Sequence, residues 1–502
     1  MNAGPIRLAD LLRGIADAGT AGEVRVRGVC LDSREAQEGF LFMACRGIAS
    51  HGLDYLEQAL QRGARVVLWE PAPHLAAPVV PAGTVALEVP ALSRHVGTIA
   101  ARFFGDPSRT LRIMGVTGTN GKTSCSQILA QALSEAGEPC GVMGTLGYGL
   151  YGRLEPATHT TPDAVRVQAT LAAFLAQGAR YVSMEVSSHA LDQDRVAGTR
   201  FEVAVFTNLT RDHLDYHRDL ESYAAAKRRL FEWPDLAYAV VNADDPLGRE
   251  ILAGLRPGVT GIAYGLDPAE VQAARAAQRL WAERVELHGR GLSLDVAGDQ
   301  GRGRLEARLL GRFNASNLLA VLGALTAFGM PFERALAQLA RARTVPGRME
   351  CFGGGDRPLA VVDYAHTPDA LGQVLRAARA HCRGTLWCVF GCGGDRDRGK
   401  RPEMGAIAAR FADRVIVTDD NPRTEDPDAI VAAILDGIED RARVEVERDR
   451  GRAIASALGR AAPGDVVLIA GKGHEDYQIY GTEKRPYSDR ATVARLLGET
   501  PP

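Results

Sequence analysis

The sequence predicts an α/β protein of about three domains, since the chain has 502 residues and a domain typically takes roughly 150. Apolar runs of strand length alternate with helical segments, which is the pattern of parallel sheets covered by helices. One strand-to-helix junction carries a glycine-rich loop, a usual place for a bound phosphate. The composition, 46% hydrophobic and 24% charged, excludes a disordered or fibrous chain.

The first predicted domain covers residues 1–108. It contains strand candidates such as Arg65–Leu68 and ends in the turn-rich segment Gly105–Ser108. Its most apolar stretch, residues 71–87, is interrupted by four prolines and cannot form a membrane span. The first residues lack a charged region followed by an apolar core, so we expect neither a secretory signal nor membrane insertion.

The second predicted domain, residues 109–343, has the pattern of a nucleotide-binding βαβ fold. It begins with the strand Leu111–Met114, the glycine-rich loop and a helix. Apolar residues between Ile128 and Ala136 share one face of that helix, and Gly137 ends it. The further predicted strands are Tyr181–Val186, Glu202–Thr207 and Tyr238–Asn242.

The third predicted domain, residues 344–502, begins near Val345–Gly347. Helical segments separate its strands, so a parallel, doubly wound sheet is the natural packing. The predicted strands are Leu359–Asp363, Thr385–Phe390, Arg414–Thr418, Arg443–Val446 and Asp465–Ala470.

Net charge bears on the partners of the protein, and cysteine content on its redox environment. The formal net charge of -2 indicates neither a nucleic-acid partner nor an anionic membrane surface. None of the eight cysteines forms a CxxC pair, so we expect reduced, mostly buried thiols and a cytoplasmic location.

Lysine is rare in this chain. Only five of its 59 basic residues are lysines, so arginine is used almost wherever a positive charge suffices. A lysine retained in such a chain indicates a site that needs a compact or reactive amine. The five are Lys122, Lys227, Lys400, Lys472 and Lys484.

The glycine-rich loop Gly118–Ser124 reads GTNGKTS and lies between a strand and a helix. Its glycines let the backbone wrap a phosphate, toward which the N–H groups of the helix start point. Lys122 adds a compact charge for the β- and γ-phosphates, and the Thr123 hydroxyl can hold Mg²⁺. Val116 stands where a strict Walker A pattern has glycine, so the loop is a variant. The predicted nucleotide-binding residues are Gly118, Thr119, Asn120, Gly121, Lys122, Thr123 and Ser124.

Two later strands end in residues suited to a metal site. Glu185, in MEVSSH, ends one strand at the sheet edge, where a carboxylate can hold a cation that bridges phosphates. The segment Asn208–His217, NLTRDHLDYH, follows another strand and could equally be a solvated loop. Lys227, in YAAAK, is either an exposed helix residue or an amine with a chemical role.

Together, GTNGKT, MEVSSH, TNLTRDHLDYH and YAAAK resemble the motifs of the Mur ligases, ATP-dependent enzymes that build the peptidoglycan stem peptide. The resemblance covers essentially the whole chain. It implies a three-domain Mur ligase architecture, with an N-terminal uridine-binding α/β domain (1–108), a central P-loop ATPase-like domain (109–343) and a C-terminal Rossmann-like amino-acid-binding domain (344–502).

The resemblance also implies the catalytic groups. Beside the Thr123 hydroxyl that the loop already indicates, it assigns one Mg²⁺ to Glu185 and a second to His213, and a carbamate formed from CO₂ to Lys227. Only an amine can add CO₂, and the product is a carboxylate able to ligate or support magnesium, so arginine could not replace Lys227. The expected catalytic residues are Lys122, Glu185, His213 and Lys227, and further ATP contacts are expected at Asn317, Arg348 and Asp363.

The uridine nucleotide is expected in the first two domains. LDSR at Leu31–Arg34 resembles the uridine contact of this family, and Arg46–Gly52 occupies the place of a second uridine loop with different side chains. HTTP at His159–Pro162 resembles the loop that holds the muramoyl peptide. The expected contacts to UDP-N-acetylmuramoyl-L-alanyl-D-glutamate are Leu31, Ser33, His159, Thr160, Thr161, Ser187, Gln193 and Arg195.

Four loops of the third domain follow parallel strands and should converge on one crevice. They supply both signs of charge, which suits a zwitterion, although four unrelated solvated loops would be the alternative. The loops are Asp363–Pro368, Gly391–Lys400, Thr418–Arg423 and Gly471–Glu475, and their charged residues are Arg396, Arg398, Arg423, Asp419, Asp420 and Glu475.

The segment Asp420–Arg423 reads DNPR and resembles the motif of the Mur ligases that add meso-diaminopimelate. The resemblance implies that arginines and Asn421 hold the distal carboxylate, while Gly471 and Glu475 hold the amino end. Buried arginines left unpaired would reject L-lysine. The expected contacts are Arg396, Asp420, Asn421, Pro422, Arg423, Gly471 and Glu475.

The expected activity is therefore ATP-driven addition of meso-diaminopimelate to UDP-N-acetylmuramoyl-L-alanyl-D-glutamate through an acyl phosphate. The expected protein is a cytoplasmic monomer that serves peptidoglycan synthesis, cell shape and cell division. The alternatives are the same ligase with L-lysine as substrate, a folylpolyglutamate synthetase-like ligase, and a non-catalytic nucleotide-binding relative.

Overall fold

The computed structural model describes residues 4–47, 50–73, 75–157, 159–210, 212, 214–288 and 291–499. The chain divides into two compact units. The first contains Met1–Leu280 and Ala320–Pro331, and the second contains Trp281–Leu319 and Phe332–Pro502. The predicted domain boundaries after residues 108 and 343 stay predictions.

The N-terminal part of the first unit is a small parallel sheet with helices packed against it. Its elements are β1 (Ile6–Arg7), α1 (Leu8–Leu12), β2 (Arg25–Val26), β3 (Gly28–Cys30), β4 (Phe40–Ala44), α2 (Leu56–Gln61), β5 (Val66–Trp69), β6 (Val85–Glu88) and α3 (Leu92–Phe103). Strands β3 to β6 pair in chain order and in parallel. Because side chains alternate along a strand, Leu41 and Met43 enter one apolar cluster and Phe42 enters another. The predicted strand Arg65–Leu68 is confirmed as β5, displaced by one residue.

The rest of the first unit is a larger, mainly parallel sheet. Its elements are β7 (Arg112–Thr117), α4 (Lys122–Glu135), β8 (Cys140–Gly144), β9 (Gly147–Leu150), β10 (Arg153–Glu155), α5 (Ala164–Ala176), β11 (Tyr181–Glu185), α6 (Ser188–Asp192), β12 (Val203–Phe206), α7 (Leu214–His217), α8 (Leu220–Arg228), β13 (Tyr238–Asn242), α9 (Pro246–Ala253), β14 (Thr260–Gly265) and α10 (Pro268–Ala273). The strand order is β10-β9-β8-β11-β7-β12-β13-β14. The neighbouring strands β8, β11, β7, β12, β13 and β14 pair in parallel, so the carboxyl ends of β7, β11 and β12 share one edge. Strands β9 and β10 pair antiparallel at the side of β8. The four strands predicted in this region are confirmed.

The second unit begins with three strands that the sequence analysis did not predict. They are β15 (Gln278–His288, from Trp281 onward in this unit), β16 (Gly291–Gly298) and β17 (Gly301–Ala307), followed by α11 (Arg312–Ala327) and α12 (Phe332–Leu339). β16 and β17 are antiparallel. Exposed residues alternate with others along β17, and this polar alternation of glycine, arginine and glutamate carries little of the apolar signal used to predict strands.

The C-terminal sheet has the strand order β18-β19-β23-β20-β21-β22, with the elements β18 (Glu350–Gly353), β19 (Leu359–Asp363), α13 (Pro368–His381), β20 (Leu386–Phe390), α14 (Lys400–Phe411), β21 (Arg414–Val417), α15 (Pro427–Leu435), β22 (Val444–Val446), α16 (Arg450–Arg460), β23 (Val466–Ala470), β24 (Tyr477–Tyr480), β25 (Glu483–Pro486) and α17 (Asp489–Leu497). All pairings from β19 to β22 are parallel, and β18 is an antiparallel edge. The five predicted strands and the parallel sheet are confirmed. Apolar clusters cover both faces, as expected for a doubly wound sheet.

The cysteines agree with the prediction. None of the eight, all of which the structure describes, forms a disulfide, and five are buried. Burial raises the pKa of the Cys388 thiol to about 12, so this thiol is not activated as a thiolate near neutral pH. Within the described residues, no helix combines the length and apolar character needed to cross a membrane.

Candidate active site

The glycine-rich loop joins β7 to α4, as the sequence predicts. Gly118 has a φ of +147°, and a Cβ atom there would lie 1.9 Å from the Thr207 hydroxyl oxygen. Any side chain at residue 118 would therefore displace the loop. Gly121 caps α4 with a φ of +89°, which turns the chain so that the helix starts at Lys122. This is the backbone form that presents helix N–H groups to a phosphate.

The segment after β12 holds the loop in place. Asn208 accepts the Asn120 amide with its side chain at 2.9 Å and the Thr119 amide with its carbonyl at 2.8 Å. The Lys122 ammonium donates to the carbonyls of Gly118 and Thr119, both at 2.9 Å. The Lys122 ammonium therefore lies against the phosphate-binding loop, as its motif predicts.

Glu185 ends β11 beside β7, and its side chain is buried, with the residue 1% exposed. One carboxylate oxygen accepts the Thr123 hydroxyl at 2.9 Å. The other accepts the Thr145 amide at 2.8 Å. Carboxylate and hydroxyl oxygens thus meet at the start of α4, and these are the ligands that Mg²⁺ prefers. The residues present fit a magnesium ion at this place.

Lys227 lies on α8 and is 1% exposed. The alternative of an exposed helix residue is therefore wrong. Its ammonium nitrogen is 4.2 Å from the centre of the Tyr223 ring, and the Tyr223 hydroxyl lies 3.3 Å from that of Thr119 in the loop. Burial, with a smaller contribution from the charge of Lys122, holds the pKa of Lys227 well below its usual value. A neutral amine is the form that adds CO₂, so this environment fits a carbamate.

Part of the predicted metal site cannot be placed. His213 lies outside the described residues. Among the described residues, no cluster of three histidine, cysteine or acidic side chains could hold a metal. The end of the same segment is not a solvated loop, because His217 is buried and its Nε2 lies 2.9 Å from the Ser188 hydroxyl.

A cavity of about 1390 Å³ lies in the first unit. Four of the residues expected to contact the uridine substrate line it, namely Leu31, His159, Gln193 and Arg195. Arg46 and Gly47, which begin the second expected uridine loop, also line it, whereas Ile48 and Ala49 lie outside the described residues.

The other expected substrate contacts do not line this cavity. The Ser33 hydroxyl donates to Gln58 at 2.5 Å, and the Thr160 hydroxyl lies 3.1 Å from that of Thr145. Thr161 is buried and donates to the Glu185 carbonyl at 2.8 Å. The Ser187 amide donates to the Thr161 hydroxyl at 3.2 Å.

Arg195 connects the cavity with the residues behind it. Its guanidinium donates to Gln193 through Nε at 2.9 Å and to the Thr161 carbonyl at 3.0 Å. Two successive hydrogen bonds, from Arg195 to Thr161 and from Thr161 to Glu185, thus link the cavity to the residue that ends β11. Arg34, the last residue of the LDSR motif, also lines the cavity. Sequence analysis missed three further arginines of the cavity, because single arginines outside a motif give no signal; they are Arg94, Arg153 and Arg166.

In the second unit, two of the three further nucleotide contacts lie together. Asp363 is buried, and its carboxylate accepts the amides of Met349 and Ala365, both at 2.7 Å. Burial raises its pKa, and the nearby charge of Arg348 opposes that rise. The Arg348 guanidinium is 4.9 Å from the centre of the Tyr364 ring. Asn317, on α11, donates to Asn314 at 3.0 Å.

The four loops predicted to converge do so, and the alternative of unrelated solvated loops is wrong. They follow β19, β23, β20 and β21, which are neighbours in the sheet. Backbone contacts join them in pairs, since Gly471 donates to Asp363 at 3.1 Å and Gly394 donates to Asn421 at 2.9 Å. The Lys400 ammonium donates to the His366 carbonyl at 2.8 Å.

The DNPR segment packs tightly against the Gly391–Lys400 loop. A Cβ atom on Gly394 would lie 1.8 Å from the Pro422 carbonyl oxygen, so only glycine permits this contact. Arg423 adopts a left-handed φ of +53° and donates from Nη1 to the Gly394 carbonyl at 2.7 Å. Arg396 is exposed and donates to the Asp395 carbonyl at 3.2 Å.

Two of the charged residues expected in the crevice are paired with other side chains. Asp419 accepts Arg448 at 2.6 Å, and Arg398 lies 3.1 Å from Glu425. Gly471 has a φ of +119°, and a Cβ atom there would lie 3.3 Å from an Asp420 carboxylate oxygen.

Sequence analysis named Lys472 only as one of the rare lysines and gave it no role at the centre of these loops. Lys472 is completely buried, and its ammonium contacts Glu475 at 2.9 Å, Asn421 at 3.1 Å and Asp420 at 3.2 Å. The scarcity of lysine, with only five in the chain, indicated a special site for Lys472 but not its partners.

The comparisons with known proteins agree along the whole chain. Three family models match, namely Mur ligase family, catalytic domain (residues 25–104), Mur ligase middle domain (116–325) and Mur ligase, glutamate ligase domain (347–473). A UDP-N-acetylmuramoyl-L-alanyl-D-glutamate–2,6-diaminopimelate ligase from Alkalilimnicola ehrlichii is 51% identical over 98% of this chain and 99% of its own length. The enzyme of the same name from Pseudomonas aeruginosa is 49% identical over 95% of this chain and 96% of its own.

A solved structure extends the likeness to three dimensions. It is that of a UDP-N-acetylmuramoyl-L-alanyl-D-glutamate–2,6-diaminopimelate ligase, and it matches with a TM-score of 0.75 at 36% identity. The match covers 98% of this chain and 99% of that structure. The α/β sheets described above are those of the three-domain Mur ligase architecture, and the chain belongs to the Mur ligase family.

Proposed function

We propose that this protein is an ATP-dependent amide ligase that joins meso-diaminopimelate to UDP-N-acetylmuramoyl-L-alanyl-D-glutamate in peptidoglycan precursor synthesis. The observation that carries the proposal is the buried Glu185 carboxylate, hydrogen-bonded at 2.9 Å to Thr123 of a phosphate-binding loop. Relatives about half identical over nearly the full chain carry the name of this ligase. We further propose that the enzyme works in the cytoplasm as a monomer.

The first step is phosphoryl transfer from ATP to the D-glutamyl carboxylate. The carboxylate oxygen attacks the γ-phosphorus, the bond to the β-phosphate oxygen breaks, and ADP leaves. Backbone amides at the start of α4 and the Lys122 ammonium donate hydrogen bonds to the phosphates. Positioning and charge neutralisation carry most of the acceleration in such transfers. We assign Asn317, Arg348 and Asp363 as contacts to the parts of ATP other than these phosphates.

Magnesium, when bound, would neutralise the charge that develops on the phosphates. Thr123 and Glu185 would hold one ion, and His213 the second. The role of Lys227 in this scheme is to carry a carbamate, which turns a buried amine into a carboxylate near the loop. The lowered pKa of Lys227 supports that role, because it shifts the equilibrium toward the neutral amine.

The second step forms the amide bond. The diaminopimelate amine attacks the carbonyl carbon of the acyl phosphate, loses a proton, and the tetrahedral intermediate expels inorganic phosphate. Arg396, Asn421 and Arg423 are assigned to the distal carboxylate, with Asp420, Gly471 and Glu475 at the amino end. The cavity lined by Arg195 and His159 is assigned to the uridine nucleotide and its peptide.

Three other functions make different predictions. An L-lysine-adding ligase has no use for Arg423 beside the distal end of the amino acid. A folylpolyglutamate synthetase-like ligase has no use for the N-terminal uridine segment or for the loop at His159–Pro162. A non-catalytic relative has no need of Lys122, Glu185 and Lys227 together.

The test is phosphate release with ATP, Mg²⁺ and UDP-N-acetylmuramoyl-L-alanyl-D-glutamate, with meso-diaminopimelate compared to L-lysine. We expect release that depends on diaminopimelate, accompanied by the tripeptide product. Release with lysine alone would keep the ligase and contradict the proposed substrate. Absence of release with either amino acid would favour the non-catalytic relative.

A further inference from the structure

The Lys472 ammonium occupies a position that the proposed substrate contacts alone do not explain. The side chain is 0% exposed, although lysine is the residue that this chain otherwise avoids. An ammonium has three protons to donate. Glu475 accepts at 2.9 Å, Asn421 at 3.1 Å and Asp420 at 3.2 Å, so all three protons have acceptors.

The same contacts fix the orientation of Asn421. Its side-chain oxygen accepts Lys472 at 3.1 Å and the Ile479 amide at 2.9 Å. Its side-chain nitrogen donates to Glu475 at 3.0 Å. The amide could not rotate by half a turn without placing two donors against each other. Lys472 thus holds the side chains of Asn421 and Glu475 in one orientation at the crevice.

Lys472 also changes the charge of the crevice. Asp420 and Glu475 contribute two negative charges, and Lys472 adds a positive charge beside them to those of Arg396 and Arg423. The distal end of diaminopimelate carries an ammonium and a carboxylate, with no net charge. The distal end of L-lysine carries an ammonium alone. Each positive charge in the crevice therefore disfavours the second more than the first, because only the first brings a carboxylate with its ammonium.

We propose that Lys472 is a positioning residue that sets amino-acid specificity. By this account it turns one oxygen of Asp420 and of Glu475 toward itself and leaves their other oxygens for the substrate amine. It also removes one negative charge, so that an amino acid ending in ammonium alone is not favoured. The inference rests on the proposed function, because it concerns the amino-acid site of that same ligase.

The test is the variant Lys472→Met, which keeps an unbranched side chain as far as the ε carbon and removes the ammonium group. We expect the KM for meso-diaminopimelate to rise about 30-fold or more, while the KM values for ATP and for the uridine substrate change by less than about twofold. We also expect the preference for diaminopimelate over L-lysine to fall. A purely structural role would not change that preference.

Lys484→Met is the matched control. Lys484 lies on β25, is exposed, and its ammonium is 3.7 Å from the centre of the Tyr477 ring. The Lys472 ammonium is 5.5 Å from the same ring. We expect the control to retain both the KM for diaminopimelate and the preference over lysine.

The outcomes separate this inference from the proposed function. Absence of activity in the wild-type enzyme with both amino acids would contradict the function. A wild-type enzyme that uses diaminopimelate, with a Lys472→Met variant that keeps its KM and its preference, would overturn the role of Lys472 alone.

A measurement on the wild-type protein covers the case in which the variant does not fold. With only five lysines, ¹⁵N-lysine labelling gives few ammonium signals, and a buried, hydrogen-bonded one exchanges slowly. We expect meso-diaminopimelate to shift that signal and an equal concentration of L-alanine to leave it in place. An unshifted signal at saturating diaminopimelate would overturn the inference.

Discussion

Two lysines of this chain are buried to the same degree but in opposite surroundings. Lys227, in the first unit, is 1% exposed and lies against the Tyr223 ring, with the charge of Lys122 nearby. Lys472, in the second unit, is 0% exposed and contacts two carboxylates and an amide oxygen. A buried charge costs free energy unless it is paired. The first environment therefore favours a neutral amine, and the second retains a cation.

The contrast indicates why the chain keeps lysine at these two places. At residue 227 the carbamate that we propose needs an amine that can lose its proton and react, which a guanidinium cannot do. At residue 472 the loop cluster holds a compact cation whose three donors meet three acceptors. Arginine is larger and planar and would meet neither requirement. Burial alone does not distinguish the two roles, whereas the partners do.

The largest effect is expected from Lys227→Ala. We expect turnover to fall by about 100-fold or more, because the group that stabilises charge near the phosphates is lost. Short carboxylic acids should restore part of the rate by replacing the carbamate. Lys472→Met is the control, since the same acids should not restore its activity. Wild-type turnover in Lys227→Ala would contradict the assigned role.

The same substitution should have different effects on stability at the two sites. Lys472→Met leaves two carboxylates without their cation and should cost about 3–5 kcal/mol of unfolding free energy. Lys227→Met replaces a desolvated amine by an apolar chain of similar volume and should change that free energy by less than about 1.5 kcal/mol. Urea unfolding of both variants without Mg²⁺ measures the difference. Equal losses would show that the two environments are not opposite.

A smaller effect is expected from Arg423→Lys, which keeps the charge balance around Lys472 but removes the planar fork. We expect the KM for meso-diaminopimelate to rise about tenfold, because one ammonium cannot bind a carboxylate in two-point fashion. Steady-state kinetics with a fixed, saturating concentration of ATP measures it. A rise as large as that of Lys472→Met would mean that geometry, rather than charge, determines the specificity.

The smallest effect is expected from a thiol-modifying reagent on the buried cysteines. Burial raises the pKa of the Cys30 and Cys388 thiols to about 12, so the thiolate is scarce near neutral pH. Iodoacetamide at about pH 7.5, well below that pKa, should leave both residues unmodified in the folded protein and modify them after unfolding. Mass spectrometry of the digested protein checks this, and rapid modification of the folded protein would contradict the burial.

Local motifs explain what could be predicted from the sequence. The glycine-rich loop, Glu185 and the DNPR segment each lie where a strand ends, so neighbouring residues alone indicate their place. The convergence of four loops could be predicted as well, because parallel strands bring their carboxyl ends to one edge.

The rest depends on contacts between distant parts of the chain. The Thr145 amide that donates to Glu185 comes from 40 residues away, and the partners of Lys472 include residues 51 and 52 positions away. No local pattern encodes such pairs. The antiparallel strand β17 escaped prediction because arginine, glycine and glutamate occupy most of its positions.

The most direct test of the proposed reaction follows one oxygen atom. The substrate is UDP-N-acetylmuramoyl-L-alanyl-D-glutamate with ¹⁸O in the reacting D-glutamyl carboxylate, incubated with the enzyme, ATP, Mg²⁺ and meso-diaminopimelate. An acyl phosphate requires that carboxylate oxygen to leave with the phosphate, so ³¹P NMR should detect one ¹⁸O atom in each phosphate released. Unlabelled phosphate would mean that water attacks ATP, and would contradict the ligase mechanism.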